Sequence, residues 1–405
     1  MSYQRNSVIL EGKEFFFERT DNYLILNLSN SDLSDINPLF QADRNILDQV
    51  QILDLSQNHI HALPCICELK NLKELNLYDN KIENVDGISN LSLLTHLNLQ
   101  WNNIRTIQPL KNLNYLQVLN LSNNKISEIQ GIDEYTSLVN LDASNNEIKT
   151  IPDFKKHQNL QILNLENNQI TTLPKISNLK NLQEINLKNN QINNRVEIGP
   201  LDGLKRLNVS NNQISEIGAI QCPQLIELDA SFNEIKTISG LDYLSQLQKL
   251  DFSGNNIEKI SGLYHLKNLE WINLSGNYIK SIKNLESLDN LTALFLNDNQ
   301  IQVIKDIDSL NNLQELHLKR NKIKSIPSLE SLKSLTSVDL RENDIENISG
   351  LAKMHQLSSL YLSQNPIFEK IKQLYPKISS FYDEFIDIID FYEHLSEIIK
   401  NLTPT

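Results

Sequence analysis

One frame of apolar and polar positions runs through most of the chain. In Leu72-x-x-Leu75-x-Leu77-x-x-Asn80-x-Ile82-x-x-Val85, the alternation of Leu75 and Leu77 marks the buried face of a short strand. Asn80 followed by Ile82 then reads as a polar turn that returns the chain inward. The frame recurs around Asn58, Asn80, Asn102, Asn124, Asn146, Asn168, Asn190, Asn212, Asn233, Asn255, Asn277, Asn299, Asn321, Asn343 and Asn365. Thirteen of the fourteen gaps between these asparagines are 22 residues and one, Asn212 to Asn233, is 21. The predicted unit is therefore strand, turn and short return, copied many times. A strand this short buries little alone, so each copy needs the next stacked on it, and the apolar positions merge into one continuous core. At the turn the backbone leaves the sheet, and an inward amide that both donates and accepts can satisfy the groups stranded there. The fifteen asparagines should form a ladder inside the coil.

This frame resembles the leucine-rich repeat, consensus LxxLxLxxNxI, and its period resembles the short-repeat class of that family. The resemblance covers roughly residues 23 to 375. It implies an α/β solenoid: a leucine-rich repeat arc with a parallel concave β-sheet and short 3-10 or irregular convex segments. One degenerate copy precedes the fifteen, with Tyr23, Leu26, Leu28, Leu33 and Ile36 in the frame and Ser31 where asparagine is expected. Sixteen strands at about 4.8 Å give a sheet on the order of 75 Å long, a surface sized for a protein. The expected organisation is an N-terminal cap with the degenerate repeat over 1–49, fifteen repeats over 50–365, and a C-terminal cap with an amphipathic helix over 366–405.

Both ends need covering, since an end repeat would leave its core face wet. Val8 to Leu10 and Phe15 to Phe17 flank Glu11-Gly12-Lys13 and read as a hairpin. At the other end, Asn365-Pro366-Ile367, Lys370 to Tyr375, Pro376 and the segment from Ile378 to Phe385 resemble the cap of the phosphatase-regulatory type of repeat, with Tyr382-Asp383 in place of its Leu-Asp. Beyond it, Phe385, Ile388, Ile389, Tyr392, Leu395, Ile399 and Leu402 recur at helical spacing. That helix either seals the last coil or is offered to a partner.

Composition narrows the class. A net charge of −13 repels phosphate and argues against nucleic acid or an anionic membrane as partner. No run of about 18 apolar residues is present and the N-terminus lacks a signal-type apolar core, so a soluble protein is expected. Three cysteines, Cys65, Cys67 and Cys222, do not supply paired terminal disulfides, which fits reducing cytosol. Asn27, Asn120, Asn208 and Asn273 each sit in an N-x-S sequon between the two buried strand positions, where glycans would project from the strand face. The expected location is cytoplasmic, with ciliary or nuclear placement compatible.

Catalytic constellations and phosphate loops are absent, so no enzyme and no cofactor is expected. His59, His61, Cys65 and Cys67 fall within nine residues, but the histidines lie on the turn and the cysteines on the return. Surface positions, and no metal, are the expectation.

The column between the two buried strand positions carries the clearest signal. From Asp54 to Asn273 it is Asn or Asp in eleven successive repeats, and then reads Phe295, His317, Asp339 and Tyr361. Lys319, Arg320 and Arg341 lie beside these and suggest a basic and aromatic patch, of the residue types that dominate interface energetics. Smaller clusters are Tyr78, His96 and Trp101 with Glu74 and Asp79, and Arg206, Phe232, Lys249 and Trp271. The expected function is a scaffold, monomeric by itself, that binds a protein on the concave face. In period, lack of a signal and cap type the chain resembles the leucine-rich-repeat regulatory subunit of protein phosphatase 1, which holds the phosphatase on concave acidic and aromatic residues. Phe295 and Tyr361 match that pattern in type, Asp142 and Asp229 are compatible, and Asn164 to Asn208 depart from it. The alternatives are a ciliary or cytoskeletal assembly protein, and a bacterial effector or internalin-like adhesin that uses the same scaffold on a host protein.

Overall fold

The computed structural model describes residues 7–63, 65–108, 110, 112–173 and 176–374. The chain divides into two compact units, Met1–Ile192 with Leu201–Leu204, and Asn193–Pro200 with Lys205–Thr405.

In the first unit, β1 (Ser7–Leu10) and β2 (Lys13–Arg19) form an antiparallel hairpin. Its two turn residues, Glu11 and Gly12, both have positive φ, 46° and 78°, the pairing that matches the twist of a two-residue hairpin. β2 pairs antiparallel with β3 (Leu24–Asn27), so the hairpin extends the sheet at its edge. From β3 onward every pairing is parallel, through Val50–Asp54, Glu74–Asn76, His96–Asn98, Val118–Asn120, Asn140–Asp142, Ile162–Asn164 and Glu184–Asn186. Equivalent frame positions meet in register, as in Leu53, Leu75 and Leu97, so each leucine column is one row of the core.

The second unit repeats this with Arg206–Asn208, Glu227–Asp229, Lys249–Asp251, Trp271–Asn273, Ala293–Phe295, Glu315–His317, Ser337–Asp339 and Ser359–Tyr361. It departs locally from the expected 3-10 or irregular returns. Asn193–Ile198 and Gln213–Ile220 pair in parallel as a separate two-stranded sheet with register shifts. Buried Val196, Ile198, Ile214, Ile217 and Ile220 supply β-branched residues suited to strands, at the one place where the period shortens. The described end of the unit is the helix Pro366–Leu374, whose Ile367, Phe368 and Ile371 are buried. Pro366 starts it at a position where no intrahelical N–H is needed. The closing strand to Phe385 and the amphipathic segment beyond lie outside the described residues, and among those described no helix is long and apolar enough to cross a membrane.

Within each unit, buried asparagine amides tie repeats to their predecessors. Asn80 donates through Nδ2 to the carbonyl oxygens of Leu55 (2.9 Å) and Leu77 (3.3 Å), while its Oδ1 accepts the N–H of Ile60 at 3.0 Å. The pattern recurs, for example at Asn146, Asn255 and Asn343. In the degenerate repeat Ser31 cannot reach this far. Asn58 of the following repeat covers it, accepting the N–H groups of Ser31 and Leu33 and donating to Leu28.

One core position breaks the apolar rule. His157 is fully buried, its Nε2 lies 2.8 Å from the Ile132 carbonyl oxygen, and its Nδ1 has no hydrogen-bond partner. Burial holds its pKa below the usual imidazole value, only partly opposed by the Ile132 bond and the charge of Asp133. The unfolded chain therefore takes up a proton near pH 6.5 that the folded chain refuses. Stability should be intact above that pH and fall as pH drops from 7 toward 5.5, with a slope of up to about 1.4 kcal/mol per pH unit from this group. Melting temperatures across that range should show the fall, and His157→Leu should flatten it.

Candidate functional site

The Asn/Asp column on the solvent face of the sheet has a local structural task. Asp54 Oδ1 accepts the N–H and the hydroxyl of Ser56, at 2.8 and 2.6 Å, and Asn120, Asn208, Asp229 and Asp251 do the same with the serine two residues on. Each short side chain thus caps the strand end by bonding the backbone just ahead of it. Asn27, Asn120, Asn208 and Asn273, the sequon asparagines of the strands, all accept the N–H of their serine this way.

Phe295, His317 and Tyr361 have no acceptor placed for that cap. At His317 the task passes to the preceding repeat, where Asn297 Oδ1 takes the N–H of Lys319 at 2.9 Å. What this part of the face gains is a group of rings. The Trp271 and Phe295 centroids are 5.4 Å apart, Phe295 and His317 stack at 4.6 Å with planes 19° apart, and the Arg341 guanidinium lies 5.1 Å from the Tyr361 ring centre. All five side chains are half-buried. Parallel register puts Asn273, Phe295, His317, Asp339 and Tyr361 side by side, which is why single substitutions in successive repeats build one surface.

The basic character expected of this patch is absent. Arg341 is held by Asp339, with Nε to Oδ1 at 3.0 Å and Nη2 to Oδ2 at 2.7 Å, and Asp339 is 3% exposed. Glu342 takes Arg320 at 2.7 Å and Lys319 at 3.0 Å, and Asp298 lies 3.5 Å from Arg320. These neighbours hold the Glu342 carboxyl below the usual carboxylate range. The cations are matched by carboxylates of the same or the adjacent repeat, so the surface is aromatic with a neutralised rim.

A feature invisible in the leucine frame is that the residue before each ladder asparagine is left-handed. It is Asn, Asp or Gly in nine repeats, for example Asn123 (φ 57°) and Gly254 (φ 63°), where that conformation is inexpensive. Trp101 and Phe232 occupy the same position with φ of 55° and 52°, although a bulky side chain there costs about 1 kcal/mol or more. They are 54% and 60% exposed, so core burial does not offset the strain. Replacing Trp101 with Asn should accordingly stabilise the protein by about 1 kcal/mol. A chemical melt that shows a loss instead would contradict this account of the turn. The enrichment of Asn, Asp and Gly at this column was the available sequence signal.

The remaining candidates are less concentrated. Tyr78 is half-buried and His96 exposed, with Glu74 opposite His96 in register. Lys249 pairs with Glu227 at 2.8 Å, in the strand column that also carries Arg206 and Trp271, whereas Phe232 sits at the turn. His59 pairs with Asp32 at 3.0 Å, Cys65 and Cys67 are free and half-buried, and no group of three or more metal-binding side chains converges among the described residues.

Comparison with known proteins bears on the fold and the family. The family described as Leucine Rich repeats (2 copies) matches residues 48–90, 70–112, 116–156, 136–174, 158–203, 202–243, 245–287 and 289–331, and Leucine rich repeat matches 311–367. No curated protein matches the chain in sequence. Among solved structures, an internalin of Listeria monocytogenes is 30% identical, with 74% of this chain and 89% of that chain covered and a TM-score of 0.65. A leucine-rich-repeat protein of Leptospira interrogans is 27% identical over 87% of this chain and 82% of that one, TM-score 0.62. A plant peptide hormone receptor, solved in complex with its peptide, shares the fold at 24% identity, covering 86% of this chain and 67% of that one, with a TM-score of 0.62. With family matches spread from residue 48 to residue 367, the chain belongs to the leucine-rich-repeat proteins.

Proposed function

We propose that this protein is a non-enzymatic scaffold that binds a protein partner on the solvent face of its parallel sheet, centred on Trp271, Phe295, His317 and Tyr361. The observation that carries this reading is the stack of Phe295 on His317 in a column otherwise given to strand-end caps, with Trp271 of the neighbouring column against Phe295. Large aromatic side chains held by neighbours lose little freedom on binding and contribute much when desolvated. Trp101 and Tyr78 form a second, smaller contact. The peptide complex of the plant receptor supports protein-ligand binding as a use of this fold.

The partner's identity divides into two readings. Likeness to the Listeria internalin supports a bacterial repeat protein directed at a protein of another organism. The ring types at Phe295 and Tyr361 support a phosphatase. Purified phosphatase catalytic subunit, passed over the immobilised protein, separates them. Retention that disappears with Phe295→Ala combined with Tyr361→Ala supports the second reading, and free passage excludes it. The scaffold reading itself predicts that this double variant, with an unchanged melting temperature, loses the partner that the wild-type protein captures. A captured set identical for both proteins would overturn it.

A further inference from the structure

The face between Phe232 and the Trp271–Phe295 pair differs from the rest of the sheet. Its outer positions are small: Ser231, Ser253 and Ser275 follow the Asp/Asn column, and Gly254 and Gly276 fill the left-handed position. Two and three repeats beyond Ser275 and Gly276 the equivalent positions carry Lys319 and Arg320, then Arg341 and Glu342. The floor is therefore low, about 10 Å across from strand spacing alone, with aromatic side chains at opposite corners.

Phe232 is built into this place at a conformational cost. Its ring lies against Gly254, where an added Cβ would come 2.7 Å from Phe232 Cδ1 and 3.1 Å from Cε1. Gly254 is thus a condition for the ring's pose, and the ring remains 60% exposed. Strain retained for an exposed ring points to a contact outside the chain.

Charge indicates what that contact is. Asp229 and Asp251 are neighbours in register on adjacent strands, and each gives Oδ1 to its serine. Burial, and to a lesser degree the charge of Asp229, raises the pKa of Asp251 against the hydrogen bonds from Ser253 and from Asn273 Nδ2, which reaches its Oδ2 at 3.2 Å. Glu227 and Glu270 add two more carboxylates, against Lys249, which is paired with Glu227, and Arg206.

We propose that this floor receives an arginine- or lysine-bearing segment of the protein partner, with the cation directed at Asp229 and Asp251 and its stem against Phe232 and Trp271. Aromatic faces and desolvated carboxylates together favour such a group. The proposal rests on the scaffold reading and adds the chemistry of the ligand.

The chain has two tryptophans, so Trp101→Phe leaves Trp271 as a single reporter. In that background the probe is an acetylated, amidated Gly-Arg-Gly-Arg-Gly-Arg-Gly peptide, with its citrulline counterpart as the uncharged control. The expected result is a saturable change in Trp271 emission with the arginine peptide, weakened by salt and absent with citrulline. Asp229→Asn with Asp251→Asn should weaken it at least tenfold, while retaining the serine caps as Asn208 does with Ser210. Phe232→Asn should weaken it as well. No emission change, an equal response to citrulline, or indifference to the Asp→Asn pair would overturn the proposal. If the peptide fails while partner capture still depends on Phe295 and Tyr361, only the basic-segment proposal falls; if capture ignores those rings, the scaffold reading falls.

Discussion

Replacing Asn277 with alanine is expected to lower the unfolding free energy by about 3 kcal/mol, the sum of several lost bonds to buried backbone. Asn277 is 5% exposed. Its Nδ2 donates to the carbonyl oxygens of Phe252 at 2.9 Å and Leu274 at 3.0 Å, and its Oδ1 accepts the N–H of Ile257 at 2.9 Å. Alanine leaves that N–H without an acceptor in a place where water enters only by separating two repeats. The effect concentrates there because a solenoid is stabilised by nearest-neighbour interfaces. Hydrogen exchange should accordingly accelerate at Ile257 and its stacked neighbours first, and a urea melt should shift to a lower midpoint. A change below about 0.5 kcal/mol, the size of an ordinary surface substitution, would mean that the ladder amides are spectators.

Arg341→Ala is expected to destabilise by about 2 kcal/mol, less than the loss for a fully buried pair because the Arg341 side chain keeps 22% of its exposure. The loss comes chiefly from what remains. Asp339, 4% exposed at its side chain, would keep the N–H of residue 341 at 3.1 Å but lose both guanidinium bonds. Converting Asp339 to Asn in the same chain removes the stranded charge, so the double variant should recover most of the stability. Recovery in a double-mutant melt would show that Arg341 serves the fold first and the binding face second. Equal destabilisation in the single and double variants would place Arg341's contribution elsewhere, in its contact with Tyr361.

Much of this was legible in the sequence, for a physical reason. A repeated unit whose strand is three residues long can bury its leucines only by stacking copies in register, so period and frame together dictate the parallel sheet, the core rows and the buried amides. The hairpin was also readable, because the apolar runs Val8 to Leu10 and Phe15 to Phe17 flank Glu11-Gly12-Lys13, although the positive φ of Glu11 was not. Side-chain pairing across columns was not. Lys319, Arg320 and Arg341 stand out in a linear chain as cations, but Glu342, Asp298 and Asp339 become their partners only once the register places successive repeats a strand apart. The parallel pair Asn193–Ile198 and Gln213–Ile220 escaped for a related reason. One missing residue changes how two returns meet, and apolar periodicity within either return does not report on the meeting. The aromatic run at Trp271, Phe295 and His317 could be seen as residue types, whereas their stacking depends on coordinates.

The central claim is that the ringed face of the second unit binds the partner and that the return side does not. The most direct measurement is calorimetric titration of the captured partner into wild-type protein, Phe295→Ala, and Tyr264→Ala, whose ring is 69% exposed on the return side. The account predicts that Phe295→Ala weakens binding by about 2 kcal/mol, roughly thirtyfold, with its melting temperature preserved, while Tyr264→Ala binds as wild type does. Unchanged affinity for Phe295→Ala together with a loss for Tyr264→Ala would contradict it.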